Sequence, residues 1–208
     1  MISKKYNFIF QHIPKCAGQS MLKFFINLHR QEKCIDQLSF ELHTPFEKVK
    51  TQHPMQYRNF FKFTFVRNPW DRVVSLYEYR RQEALKGVWH PSWPPIQELI
   101  HDSFDDNIIK SVQSNSPECL YLEPAYTDNY WLPRNILREV NFIGKFESIK
   151  KDFAYIKHVL QIDDAHILSH SNETKRKHYS EYYNDNTRKI VADKYATDIQ
   201  LFGYKFED

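Results

Sequence analysis

The chain has 208 residues, 41% of them hydrophobic and 16% aromatic, with 29 Lys and Arg against 26 Asp and Glu for a formal charge of +3. That apolar fraction supports one packed domain and excludes a disordered or fibrous chain, while so mild a charge excludes the strong basic bias of a nucleic-acid binder. Cys16, Cys34 and Cys119 show no paired or C-x-x-C spacing, which excludes a disulfide framework and a cysteine zinc site. No segment is long and apolar enough to span a bilayer, and no apolar signal core precedes the first strand, so a reduced, cytoplasmic setting is expected.

No repeat or low-complexity linker divides the chain, and residues 1–208 read as a single domain. Tyr6 to His12 reads as a strand, and Gly18 to about His29 as a helix with Met21, Leu22, Phe25 and Leu28 on one face. Between them runs Ile13-Pro-Lys-Cys-Ala-Gly-Gln-Ser20. A strand that feeds a tight turn and opens directly into a helix is how α/β proteins build an anion site. Helix N–H groups and the positive end of the helix dipole meet in the turn, and Lys15 adds a full charge. A phosphate or sulfate is the expected ligand.

Residue order excludes two common loops. A Walker A loop carries its lysine after the second glycine, whereas Lys15 precedes Gly18. A cysteine phosphatase loop has Arg six positions beyond its Cys, where this chain has Leu22. Cys16 stands beside Lys15 at a helix start, a setting that acidifies thiols, but no base is placed near it in sequence.

Phe60 to Val66 reads as a second strand, with Phe61, Phe63 and Phe65 alternating with Lys62 and Thr64. It ends in Arg67-Asn-Pro-Trp-Asp-Arg72, where Asn68 suits a helix cap and Pro69 a first helical position. The helix then runs through Val73, Val74 and Tyr77 towards Ala84. The strand–turn–helix device with a basic residue at the turn therefore occurs twice. The Arg67 fork suits a bidentate phosphate, and Asp71 and Ser75 share a helix face. The alternative is a structural Arg67–Asp71 ion pair with Ser75 an ordinary helix serine.

Residues 87–133 are rich in Pro and Trp, whose aromatic faces can stack on sugar rings and on planar phenols alike, with a modest helical pattern from Ile96 to Val112. A third strand, Asn141 to Phe146, a helix from Ser148 to Leu160 and a polar, basic loop from Ser169 to Tyr179 follow. The last helix, Asp185 to Leu201, closes at Gly203. His166 and His170 are four apart, but their segment reads as loop without an accompanying carboxylate, and no metal set is read. The alternation implies a three-layer α/β/α fold around a mainly parallel sheet, with ligands at the carboxyl ends of the strands.

Four stretches carry a family resemblance. Phe10-Gln-His-Ile-Pro-Lys-Cys-Ala-Gly-Gln-Ser20 resembles the 5′-phosphosulfate loop of carbohydrate sulfotransferases, with Gln19 where Thr is commoner and a side chain that can still donate. Phe65-Val-Arg-Asn-Pro-Trp-Asp-Arg-Val-Val-Ser-Leu-Tyr77 resembles their 3′-phosphate motif, RxPxxRxxSxY. Asn141-Phe-Ile-Gly-Lys-Phe-Glu-Ser148 is similar to their IGRFE element, and Tyr182 to Phe206 to their usual ending.

The resemblance implies a P-loop NTPase-like sulfotransferase topology that binds 3′-phosphoadenosine 5′-phosphosulfate (PAPS), releases adenosine 3′,5′-bisphosphate (PAP) and needs no metal. It implies that Lys15, Gly18, Gln19 and Ser20, with Cys16 and Ala17 of the same loop, surround the 5′-phosphosulfate. Arg67 and Ser75 would hold the 3′-phosphate, and Lys175 and Arg176, in the stretch Asn172 to His178, would close over the nucleotide. Lys15 would stabilise the leaving phosphate, by the reasoning that applies to phosphoryl transfer.

His43, in Glu41-Leu-His-Thr-Pro45, is the expected base, because related sulfotransferases place an acceptor-activating histidine between the two loops. Glu41 and Glu47 are the alternative bases. His12 is the runner-up histidine, better suited to a structural role at its strand end. The expected partner is a hydroxyl acceptor, a saccharide, with neither nucleic acid nor membrane insertion. Two alternatives stand beside this: a small-molecule or nucleoside kinase of related fold, and a non-catalytic adenosine-bisphosphate-binding module.

Overall fold

Three apolar runs become neighbouring parallel strands: β2 (Phe8–Gln11), β4 (Phe61–Val66) and β5 (Phe142–Lys145). Two-residue strands β1 (Ile2–Ser3) and β3 (Leu38–Ser39) extend the sheet to five in the order β3-β1-β2-β4-β5, with β1 alone reversed. The computed structural model describes residues 1–39, 46–89, 96–113, 136–168 and 176–207. The chain divides into two compact units, Met1–Arg67 with Ala125–Glu173, and Asn68–Pro124 with Thr174–Asp208.

In the first unit, parallel register sets Phe8 beside Phe61, Phe10 beside Phe63 and Phe63 beside Phe142, so one face of the sheet is almost wholly aromatic. Helix α1 (Gly18–Gln31) covers that face, its Phe25 ring 4.4 Å from Phe8. Further along the chain, α8 (Ile149–Val159) adds Phe153, 4.7 Å from Phe24, and Tyr155, 4.8 Å from Phe142. Each buried ring contributes about 1.5–3 kcal/mol by the usual area arithmetic. Gly144 is where the Phe65 ring passes: a Cβ there would stand 2.4 Å from it.

The opposite face carries Ile9, Gln11, Lys62 and Thr64, and it too is buried. Two short helices, α2 (Phe46–Gln52) and α3 (Pro54–Asn59), precede β4. Lys62 caps the end of α3 by donating to the carbonyls of Tyr57 at 2.9 Å and Phe60 at 3.1 Å. Burial lowers the Lys62 ammonium below the ordinary lysine range. Helix α7 (Ile136–Glu139) brings in Glu139, which accepts from the Tyr57 hydroxyl at 2.7 Å and from Lys50 at 3.3 Å. That hydrogen bond from Tyr57 is the main reason the Glu139 carboxyl lies below its usual range, and burial raises the phenol.

The second unit is helical. Asn68 accepts from the Trp70 N–H at 3.0 Å and Pro69 opens α4 (Pro69–Leu85), as the sequence predicts. Trp70, Val73, Val74 and Tyr77 form its buried stripe. Phe104, at the start of α6 (Phe104–Gln113), stands among the rings of Tyr77, Tyr182 and Tyr183 at 5.3, 5.6 and 4.8 Å. Ile96 to Val112, which the sequence gives only a modest helical pattern, holds both α5 (Ile96–His101) and α6. The single last helix expected from Asp185 to Leu201 is instead two, α9 (Asp185–Lys194) and α10 (Ala196–Phe202). They meet at Tyr195, whose side chain is buried and whose N–H still bonds the Val191 carbonyl at 2.9 Å. The turn keeps the apolar face inward on both sides, which is why periodicity alone does not show it. Gly203 closes α10 with φ 66°, the left-handed cap the sequence predicts.

Candidate active site

Beyond β2 the chain makes a turn over Ile13 to Cys16, closed by Cys16 N–H donating to the Ile13 carbonyl at 3.3 Å. Pro14 presets the first central position and Lys15 takes the second at φ 65°, the left-handed value that a type II turn requires there. Ala17 is left-handed as well, at φ 62°. Two left-handed residues therefore flank Cys16, whose own N–H closes the turn. In the structure Gly18 is an ordinary first helical residue, and the left-handed positions are filled by Lys15 and Ala17.

Gly18 is needed for a different reason. A Cβ there would lie 1.7 Å from Cδ2 and 1.9 Å from Nε2 of His12, so the imidazole rests directly on the glycine. His12 is half-buried and stacks on Phe10 at 6.3 Å and 15° between planes. This agrees with the structural role expected of His12. Cys16 is buried with its thiol directed at the Pro14 carbonyl, 3.6 Å away, which fits an anchor of the turn rather than a nucleophile.

Helix α1 begins without a side-chain cap and has no acidic residue in its first turn. Its first i→i−4 bond is from Met21 N–H to the Ala17 carbonyl at 3.1 Å, so the N–H groups of Gly18, Gln19 and Ser20 precede the helical ladder. The positive end of the dipole therefore meets no side-chain carboxylate of its own turn. Gln19 is exposed, Ser20 is buried and Lys15 is half-buried.

Arg67 follows β4 and joins this loop. Its Nη1 donates to the Lys15 carbonyl at 3.0 Å, and its guanidinium lies 3.9 Å over the Phe146 ring. Asp71, in the second unit, pairs with Arg176, and both side chains are largely buried. Ser75 lies buried in α4 of that unit. Lys175, His43, Glu41, His170 and most of residues 87–133 lie outside the described residues. Glu47 is exposed in the first turn of α2, and His166 lies in a turn where its carbonyl accepts from Lys157 at 3.1 Å. Among the described residues no three His, Cys, Asp or Glu side chains gather as a metal site, and no helix is long and apolar enough to cross a membrane.

Two functional features escape the sequence reading. The bond from Arg67 to the Lys15 carbonyl joins residues 52 apart, and no local pattern announces it. Gln11, at the end of β2, is buried with an amide nitrogen that has no partner among the described residues. Alternation does not announce it, because a polar residue that alternates with Phe8 and Phe10 reads as the solvent side of the strand.

No curated protein sequence matches the chain. Among solved structures, mouse sulfotransferase SULT7A1 complexed with PAP shares the fold at a TM-score of 0.57 and 14% identity, over 96% of this chain and 86% of that one. A sulfotransferase from Alicyclobacillus acidocaldarius aligns at a TM-score of 0.38 and 13% identity, over 100% of this chain and 95% of that one. The family model described as the sulfotransferase family matches residues 1–205, almost the whole sequence, and the chain belongs to that family.

Proposed function

We propose that this sulfotransferase takes its sulfuryl group from PAPS and delivers it to a hydroxyl of a saccharide, acting as one domain in the cytoplasm. The observation that carries the reading is the bond from the Arg67 guanidinium to the Lys15 carbonyl, which ties a cation at the end of β4 to the loop that follows the adjacent parallel strand β2 and leads into a helix N-terminus without a side-chain cap. Such a donor set fits an anionic nucleotide with well separated charges. The mouse neighbour was solved with PAP; its nucleotide is carried over here on the two sequence motifs, since so distant a likeness speaks only to the fold.

When bound, PAPS supplies a sulfuryl group already activated on a phosphate. Lys15 and the first N–H groups of α1 stabilise the charge that develops on the leaving 5′-phosphate oxygen. Arg67 and Ser75 are assigned the 3′-phosphate, and Lys175 and Arg176 the closure over the nucleotide. Cys16, Ala17, Gly18, Gln19 and Ser20 shape the 5′ site. His43 accepts the proton of the attacking hydroxyl, with Glu41 and Glu47 as the alternative bases. The Trp- and Pro-rich residues 87–133 supply the acceptor wall, where aromatic faces stack on sugar rings.

A calorimetric comparison of PAP, AMP and ATP tests the assignment. PAP is expected to bind much more tightly than AMP, and equal affinity for the two would overturn it. Unchanged turnover in His43→Ala would move the base to one of the carboxylates.

A further inference from the structure

On the β2–β4 face turned away from α1, Thr64 donates its hydroxyl to the Gln11 carbonyl at 3.0 Å and Lys62 donates to two carbonyls. The Gln11 side chain on the same face is different: the residue is only 1% exposed, and its Nε2 has no hydrogen-bond partner among the described residues. A buried amide that donates to nothing is rare in native proteins and lowers stability, so the position asks for a group that would satisfy it.

Its chemistry and place narrow that group. The orphaned atom is a donor, so its complement is an acceptor. Gln11 is the last residue of β2, directly before the His12 turn into the Lys15 loop. Ligands of parallel sheets sit at this end of the strands. Helix α1, whose N-terminus faces the 5′-phosphate in the reading above, covers the Phe8 and Phe10 face. Gln11 pairs in register with Thr64 and belongs to the other face. It therefore lies on the side of the sheet away from α1, next to the loop that carries Lys15. A sulfuryl group offers three oxygens that accept and no proton to donate, which matches a donor with nothing to bond.

We propose that Gln11 Nε2 donates a hydrogen bond to a non-bridging oxygen of the sulfuryl group, so that the protein distinguishes loaded PAPS from spent PAP at this residue. The inference rests on the PAPS reading above and adds to it a residue that neither anion motif contains. It also gives the site a means of releasing its product: PAP lacks the sulfuryl group and leaves the Gln11 amide unsatisfied again.

Two variants test it, read by calorimetric affinity for PAPS and for PAP and by thermal melting. Gln11→Met keeps the length and removes the donor. It is expected to bind PAP within about twofold of wild type, to lose about tenfold for PAPS, and to melt no lower than wild type because a buried unsatisfied group has gone. Gln11→Glu keeps the shape but sets an acceptor against an acceptor, and is expected to lose more for PAPS than Gln11→Met does, with PAP again nearly unchanged. Equal loss for PAPS and PAP, or a change in melting with neither affinity moved, would overturn the proposal and leave Gln11 a packing residue. Wild-type protein that binds PAP no better than AMP would instead overturn the nucleotide reading, a result distinct from either.

Discussion

Gly18→Ala probes the geometry of the anion loop most directly. The new Cβ would stand 1.7 Å from His12 Cδ2, whereas carbon atoms in contact prefer about 3.5 Å, so the ring must yield by about 1.8 Å. Overpacking of this kind costs about 1–3 kcal/mol, and Ala in place of Gly within a helix returns about 0.5–1 kcal/mol. The net loss is about 0–2.5 kcal/mol, which in a chain of this size lowers the melting temperature by at most about 10 °C. Binding should suffer more than folding, because displacing His12 drags the turn that carries Lys15, and a misplacement of about 1 Å in such a site can cost about a hundredfold. Calorimetry with PAP should show a loss of tenfold or more. The decisive comparison is the double variant His12→Ala/Gly18→Ala: with the ring gone, the methyl group has room. A cycle with a coupling of about 1–2 kcal/mol is expected, and additivity within about 0.5 kcal/mol would refute the reasoning.

Arg67→Ala removes a side chain that meets the Lys15 carbonyl and the Phe146 ring, besides its proposed phosphate. PAP affinity should fall by about 10- to 150-fold, the worth of a hydrogen bond to a charged group, and AMP affinity by only about fivefold through the loosened loop; equal losses would mean that Arg67 does not read the 3′-phosphate. His29 is buried, with Nδ1 donating to the Phe25 carbonyl at 2.7 Å and Nε2 facing the Ser3 hydroxyl at 2.9 Å. Burial lowers its pKa below the ordinary 6.5, so the unfolded chain takes up the proton first as pH falls. Its contribution to stability is thus full above pH 6.5 and is lost as pH drops through the folded value. Urea midpoints at pH 7.5 and 5.5 should differ less in His29→Gln than in wild type; an unchanged difference would assign the acid sensitivity to other groups.

The elements that define the site were legible because their signals are local. Phe61, Phe63 and Phe65 announce β4 by alternation, and Asn68 with Pro69 announce α4 by cap chemistry. Strands β1 and β3 were not, since two residues carry no period. The burial of Lys62 was equally hidden. A lysine alternating with phenylalanines reads as a solvent face, and only the carbonyls of Tyr57 and Phe60, brought over it by α3, make its burial tolerable. Within the site, Lys15 and Arg67 were visible as basic residues at strand ends. Their mutual contact, the Arg176–Asp71 pair and the His12–Gly18 contact depend on tertiary placement.

The left-handed residues of the loop show why its two motifs belong together. Holding Lys15 and Ala17 at positive φ costs about 1–2 kcal/mol each, and glycine would avoid it at either place. Glycine at position 15, however, would remove the charge proposed to meet the 5′-phosphosulfate, so on that reading the strain at Lys15 follows from asking one residue for both a left-handed backbone and an ammonium group. The offset comes from its neighbours. Burial of Ile13 contributes about 1.5–3 kcal/mol, and the Arg67 bond to the Lys15 carbonyl about as much. With those in place the loop is held in its strained form before any ligand arrives, and binding energy need not be spent on ordering it. Arg67 therefore braces the Lys15 loop as well as opening the second of the proposed anion motifs.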